Sequence, residues 1–189
     1  DVSAHLVGVE RNPVMHLIAS AKVKSAANPK SVGAALDYEL DDFWSRYRSY
    51  RRKTEALVTP SVTLNNPRYY EAEHVRSLLA LSRAARGCLD DVVRDVLLTC
   101  AAAAVEPSGL LRKDGRALRF TPNRAAVPPV KAFQATLNIV REDLSTNDGF
   151  RGRVQIAHGD ARHASPAPNA LEADWVVFSP PYPNNIDYT

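Results

Sequence analysis

The feature that most restricts this chain is the separation of its two clearest strands. Leu6–Val9 is a short apolar run that ends at Glu10. In the run Arg153–His158, Val154 and Ile156 alternate with polar residues, which is the period of a strand. An ordinary connection between sheet strands takes only a handful of residues. The residues between these two runs are far more numerous and are patterned mostly as helices, so a helical body must stand between strands distant in sequence.

The helical pattern divides at clear stop signals. Asn12 is a suitable N-cap and Pro13 a suitable first-turn residue, so Val14 to Lys24 is predicted as a helix after the first strand. Leu36 to Lys53 is predicted as a second, with Leu40, Phe43, Trp44 and Tyr47 at helical spacing. Pro60 to Pro67 breaks the pattern, with Asn65, Asn66 and Pro67 as a turn signal. Glu71 to Arg86 is predicted as the next helix, presenting Val75, Leu78, Leu79 and Ser82 on one face and stopping at Gly87. Leu89 to Val105 follows, through Val92, Val93, Val96, Leu97 and Cys100, and closes at Pro107, Ser108 and Gly109. Pro129 to Leu144 is the last, with Phe133, Leu137 and Val140. Such apolar stripes read as core.

A length of 189 residues allows one large domain or a domain with an inserted subdomain, and 45% hydrophobic content is enough for a core. No apolar run is long enough for a membrane helix and the start carries no signal-peptide pattern, so a cytoplasmic protein with no membrane partner is expected. Cys88 and Cys100 lie within apolar helical sequence and read as buried free thiols rather than a disulfide or metal site. His158 and His163 have no Cys or carboxylate set at ligand spacing, so they read as loop histidines and no metal is expected. The net charge of +3 is compatible with a nucleic-acid partner.

Three strand ends carry the polar groups of interest. Glu10 closes the first, where an acidic side chain in a doubly wound sheet can hydrogen-bond ribose hydroxyls. Gly159 and Asp160 follow the second; a Gly-Asp pair also marks ordinary turns. A third apolar run, Trp175 to Phe178, is predicted as a buried strand that delivers Ser179, Pro180, Pro181 and Tyr182 to its end. A Pro-Pro pair can equally be a plain loop marker. Here, however, the two rings fix φ and hold the Pro180 carbonyl rigidly. The Ser179 hydroxyl offers a second acceptor, and Tyr182 a flat face for stacking.

The tetrad Ser179–Tyr182 resembles the motif of the S-adenosylmethionine-dependent amino-group DNA methyltransferases, written Ser/Asn/Asp-Pro-Pro-Tyr/Phe. The longer stretch to Asp187 and Tyr188 looks like a Ser-Pro-Pro-Tyr subgroup. Glu10, Asp160 and Ser179 occur in the order in which that family places its strand-end groups. The resemblance implies an α/β fold, part of a Rossmann-like methyltransferase sheet with a mostly helical insertion at about residues 34–127, within a single partial domain spanning 1–189. It implies that Glu10 binds the cofactor's ribose, and that Asp160, with Ala161 beside it, lies at the adenine. It makes Ser179, Pro180, Pro181 and Tyr182 the catalytic group. The Ser179 hydroxyl and Pro180 carbonyl would accept hydrogen bonds from an exocyclic amine, while Tyr182 stacks on a base flipped from the duplex. Serine in the first position favours N4 of cytosine over N6 of adenine.

The same resemblance implies DNA as partner, with a cognate restriction endonuclease in a restriction–modification setting. Two basic clusters would reach phosphates: Arg48, Arg51 and Arg52 in the first, and Lys113, Arg116 and Arg119 around a turn at Asp114 and Gly115 in the second. Their alternatives are a solvated helix face and a surface hairpin. The family's Gly-x-Gly cofactor loop is missing, since none of the eight glycines forms that pattern. The 189-residue piece is therefore expected to bind cofactor weakly and to lack activity by itself. The rivals are a catalytically silent DNA-binding module and a methyltransferase of RNA or of a protein amide.

Overall fold

The computed structural model describes residues 4–53, 59–114, 117–150, 152–162 and 174–177. Nine elements follow in order among them: β1 (Ala4–Glu10), α1 (Pro13–Ala27), α2 (Pro29–Arg52), α3 (Ala72–Arg86), α4 (Asp91–Ala103), β2 (Leu111–Asp114), β3 (Ala117–Phe120), α5 (Pro129–Thr146) and β4 (Gly152–His158). The fold is mixed α/β. β1 and β4 are parallel neighbours in one two-stranded sheet, and β2 and β3 form an antiparallel hairpin.

The long separation between the strands is resolved by pairing β1 directly with β4. Their register runs from Ala4 opposite Gly152 to Glu10 opposite His158, so both chains leave the sheet at the same edge. Parallel strands cannot be joined by a tight turn, and everything from α1 to α5 serves as the crossover. Gly149 helps to start the return. Its φ of +83° lies in the left-handed region, and a Cβ there would come within 3.2 Å of the Ala26 carbonyl oxygen. Both conditions favour glycine.

The core belongs to the helices. Phe43 of α2 stacks on Phe133 of α5 with ring centroids 5.1 Å apart and planes 10° from parallel. Trp44 stands edge-on to both rings and to Tyr47. Leu36, Leu81, Val93, Leu97 and Cys100 complete the fully buried centre. Burying each such side chain stabilises the fold by about 1.5–3 kcal/mol.

Side chains cap the starts of α1 and α4. Asn12, expected as a cap, accepts at Oδ1 from the Val14 and Met15 amides; Asp90, not singled out from the sequence, accepts at Oδ1 from Val92 and Val93 and starts α4 two residues after the predicted Leu89. Other boundaries move. α2 begins at Pro29, well before the predicted Leu36, because proline is at home in a first turn and Gly33 packs near Leu144. The buried face of α3 is centred on Ser77, Leu78, Ala80, Leu81, Ala84 and Ala85, with Val75 partly buried against the core and Leu79 and Ser82 only half-buried beside it. Small alanines there allow close helix packing, which a search for large apolar residues overlooks.

The surface hairpin, the alternative reading of the second basic cluster, is present, paired from Leu111 opposite Phe120 to Asp114 opposite Ala117; Gly115 and Arg116 lie outside the described residues. Both cysteines are free and buried. No described helix is long and apolar enough to cross a membrane.

The third expected strand differs. Trp175, Val176 and Val177 form no strand, and they are 89%, 75% and 96% exposed. An apolar run becomes a strand only when another strand offers it hydrogen bonds. Among the described residues no strand edge pairs with it. Phe178 lies outside the described residues.

Candidate functional site

Two polypeptide segments meet at the edge where β1 and β4 end. The Gly159 amide donates to the Glu10 carbonyl at 3.1 Å, extending the pairing one residue past the strands. His158 Nε2 lies 3.1 Å from the Arg11 carbonyl oxygen, suited to donating to it. This crosslinking aligns Glu10–Asn12 with His158–Asp160. Polar side chains at the C-terminal ends of adjacent parallel strands are where open α/β sheets hold ligands.

Glu10 is oriented from its own chain. Its Oε1 accepts from the Asn12 amide at 2.7 Å. Asn12 in turn caps α1, so the carboxylate stands against the positive end of that helix. Glu10 Oε2 has no hydrogen-bond partner among the described residues and is left to accept from a diol or an amine.

Asp160 is held differently. Its carboxylate is clasped by Arg162, with Nε 3.0 Å from both oxygens and a terminal nitrogen 2.5 Å from Oδ2. The Arg162 amide also donates to Oδ1 at 3.0 Å. Arg11 adds a contact at 3.5 Å, and the Asp160 side chain is only 19% exposed. The Arg162 side-chain and amide hydrogen bonds hold this carboxyl well below the usual carboxylate range, with the charges of Arg162 and Arg11 adding to them. Asp160 is thus a fixed anion whose oxygens are already engaged. Ala161 is exposed in the turn that follows.

His158 corrects an expectation. It is the last residue of β4 rather than a loop residue, and its ring lies 5.1 Å from that of His16 on α1, tilted by 47°. His16 Nε2 is 3.3 Å from the Ile156 carbonyl oxygen. The two rings join α1 to the sheet just below the strand ends. Arg11, His16 and Arg162 were not singled out from the sequence. The available signals were the adjacency of Arg11 to Glu10 and the Asp-x-Arg spacing of Asp160 and Arg162.

The basic clusters sort by partner. Arg51 is ion-paired with Glu73, and Arg46 with Glu39. Arg48 and Arg52 are exposed on α2 and enter no ion pair among the described residues. In the hairpin, Arg119 bridges to Asp114 at 2.9 Å across the strands, while Lys113 is exposed. Arg116 lies outside the described residues, as do Ser179, Pro180, Pro181, Tyr182 and His163.

A cavity of about 720 Å³ lies elsewhere, between α1, α4 and the end of α5. It contains none of the strand-end groups. Among the described residues no cluster of three or more His, Cys, Asp or Glu could hold a metal ion. Comparison with protein-family models, with curated proteins and with solved structures returned no match.

Proposed function

We propose that this chain is the part of an S-adenosylmethionine-dependent DNA methyltransferase that holds the cofactor's adenosine and the target base. The observation that supports it most is the pairing of β1 with β4. It sets Glu10 and Asp160 at one edge although they are far apart in sequence. The pair of acceptors suits adenosine. Glu10 is a carboxylate with one oxygen to spare for ribose hydroxyls, and Asp160 is a persistent anion for the adenine amine.

S-adenosylmethionine would supply an electrophilic methyl group. The chain's own part is positioning and electrostatics. The Ser179 hydroxyl and the Pro180 carbonyl accept hydrogen bonds from the amino group of a flipped base. That draws the nitrogen away from planarity and frees its lone pair. Tyr182 stacks on the base, an interaction of about 1–3 kcal/mol. Ser179 favours N4 of cytosine as the acceptor, with N6 of adenine as the alternative.

A second reading has one observation in its favour. Because Arg162 and Arg11 already engage Asp160, that carboxylate could serve only to brace the turn, in a silent DNA-binding module. One assay separates the two. The protein, expressed from its complete reading frame, is incubated with DNA and labelled S-adenosylmethionine, and the DNA is digested for mass spectrometry. We expect N4-methylcytosine that disappears in Ser179→Ala. N6-methyladenine would reverse the base assignment, and no methylated base from folded protein would favour the silent module.

A further inference from the structure

The last two turns of α2 carry a feature that methyl transfer does not use. Ser45, Arg48, Ser49 and Arg52 are spaced three or four apart and therefore share one face of the helix. With Lys53 they line a shallow depression of about 400 Å³ to which no other described residue contributes. All five are exposed.

The neighbouring basic residues define this face by contrast. Arg46 donates to the Ala84 carbonyl at 3.1 Å and pairs with Glu39, so it is spent on joining α2 to α3. Arg51 pairs with Glu73 at the start of α3. Arg48, Arg52 and Lys53 make no ion pair among the described residues; Lys53 Nζ instead stands 5.7 Å over the Tyr50 ring. Basic side chains in a last turn do offset the helix dipole. That accounts for Arg52, but not for Arg48 and two serine hydroxyls a turn further back.

We propose that this face of α2 is a binding strip for the phosphate backbone of a nucleic acid. Among the described residues every lining side chain is a hydrogen-bond donor, three are cations, and none is a carboxylate, so the matching surface is an extended array of anionic acceptors. Arg48 and Arg52 lie about 6 Å apart along the axis, as four residues at 1.5 Å rise require. Each guanidinium fork can take a phosphate in two-point fashion, with serine hydroxyls as secondary donors. A membrane surface fits less well, because none of the five described lining residues is apolar and able to insert among lipids. The DNA-directed reading above bears only on the choice of partner. The contact itself needs neither cofactor nor catalysis.

The test is the salt dependence of binding to a fluorescent duplex, measured by anisotropy without cofactor. Arg48→Gln, Arg52→Gln and Lys53→Gln are combined in one protein, and circular dichroism checks its fold. Three lost phosphate contacts should reduce the slope of log K against log salt by about 2–3. The loss should be equal on duplexes of unrelated sequence, and Arg51→Gln should leave the slope unchanged. An unaltered slope in the triple variant would overturn the proposal. So would an equal loss in Arg51→Gln, or binding to phosphatidylserine vesicles without binding to duplex. Methylation can fail with this slope change intact, or succeed without it, so the two proposals fail separately.

Discussion

The helices and the parallel strands of this molecule are built to different standards. Around Phe43 and Phe133 the side chains are sealed from water. On β1, only a short distance away in sequence, Leu6 is 57% exposed and Val7 38%. The contrast follows from backbone hydrogen bonding. A helix satisfies its own N–H and C=O groups and needs neighbours only for its apolar stripe. A strand needs neighbours on both edges, and parallel sheets are normally covered on both faces. Among the described residues, β1 and β4 have one strand neighbour each, and α1 packs against them. The stability of the chain should therefore reside in its helices, with the ligand edge carried on a less protected platform.

The sharpest way to break that comparison is to empty the core. Phe133→Ala should cost about 3–5 kcal/mol, read as a lowered urea midpoint by far-ultraviolet circular dichroism. Val7→Ala on the half-open sheet should cost well under half of that, and equal losses would refute the contrast. Next in size is Gly109→Ala. A Cβ at Gly109 would meet the buried Tyr70 ring at 2.5 Å, an overlap worth about 1–3 kcal/mol, measured in the same denaturation. A stability equal to wild type would mean that the ring moves freely aside. Asn12→Ala, which removes the cap of α1 beside the strand ends, should cost about 1 kcal/mol. Its amide exchange should quicken in the first turn of α1 and leave α4 unchanged.

The smallest effect concerns the thiols. Burial pushes the Cys100 thiol up to about 12, and also raises Cys88. Thiolate is the reactive form, so iodoacetamide at pH 8 should leave Cys100 unmodified until denaturant is added. The native state keeps the Cys100 proton where the unfolded chain has lost it. Its contribution to stability is therefore full below the ordinary thiol pKa and declines as pH rises from there towards 12. Rapid native alkylation of Cys100 would show that the helical core opens as readily as the sheet.

How much was legible in the sequence follows the same division. The helices announced themselves through apolar spacing and end signals such as Asn12, Pro13 and Gly87, because a helix is a local structure. The first two turns of α2, from Pro29 up to the predicted start at Leu36, were missed because their one large buried apolar residue, Val32, makes no stripe of its own. Strand pairing is not local. Val154 and Ile156 disclosed a strand, but nothing in their pattern named β1 as the partner. Trp175–Val177 has the composition of a buried strand and yet stands exposed, since pairing depends on an edge elsewhere. At the candidate site, Glu10 and Asp160 could be chosen from their positions after strands. That Arg162 and Arg11 engage Asp160, while Asn12 engages Glu10, depends on the path of the two turns in space.

The most direct measurement is the affinity of the protein, expressed from its complete reading frame, for S-adenosylhomocysteine by titration calorimetry. Wild type is compared with Glu10→Ala and Asp160→Ala. Each carboxylate is proposed to make a charge-assisted hydrogen bond, worth about 1.5–3 kcal/mol. Each substitution should then weaken binding by roughly tenfold to a hundredfold. Binding that is undiminished in both variants, or absent from the folded wild type, would contradict a shared adenosine site at the ends of β1 and β4.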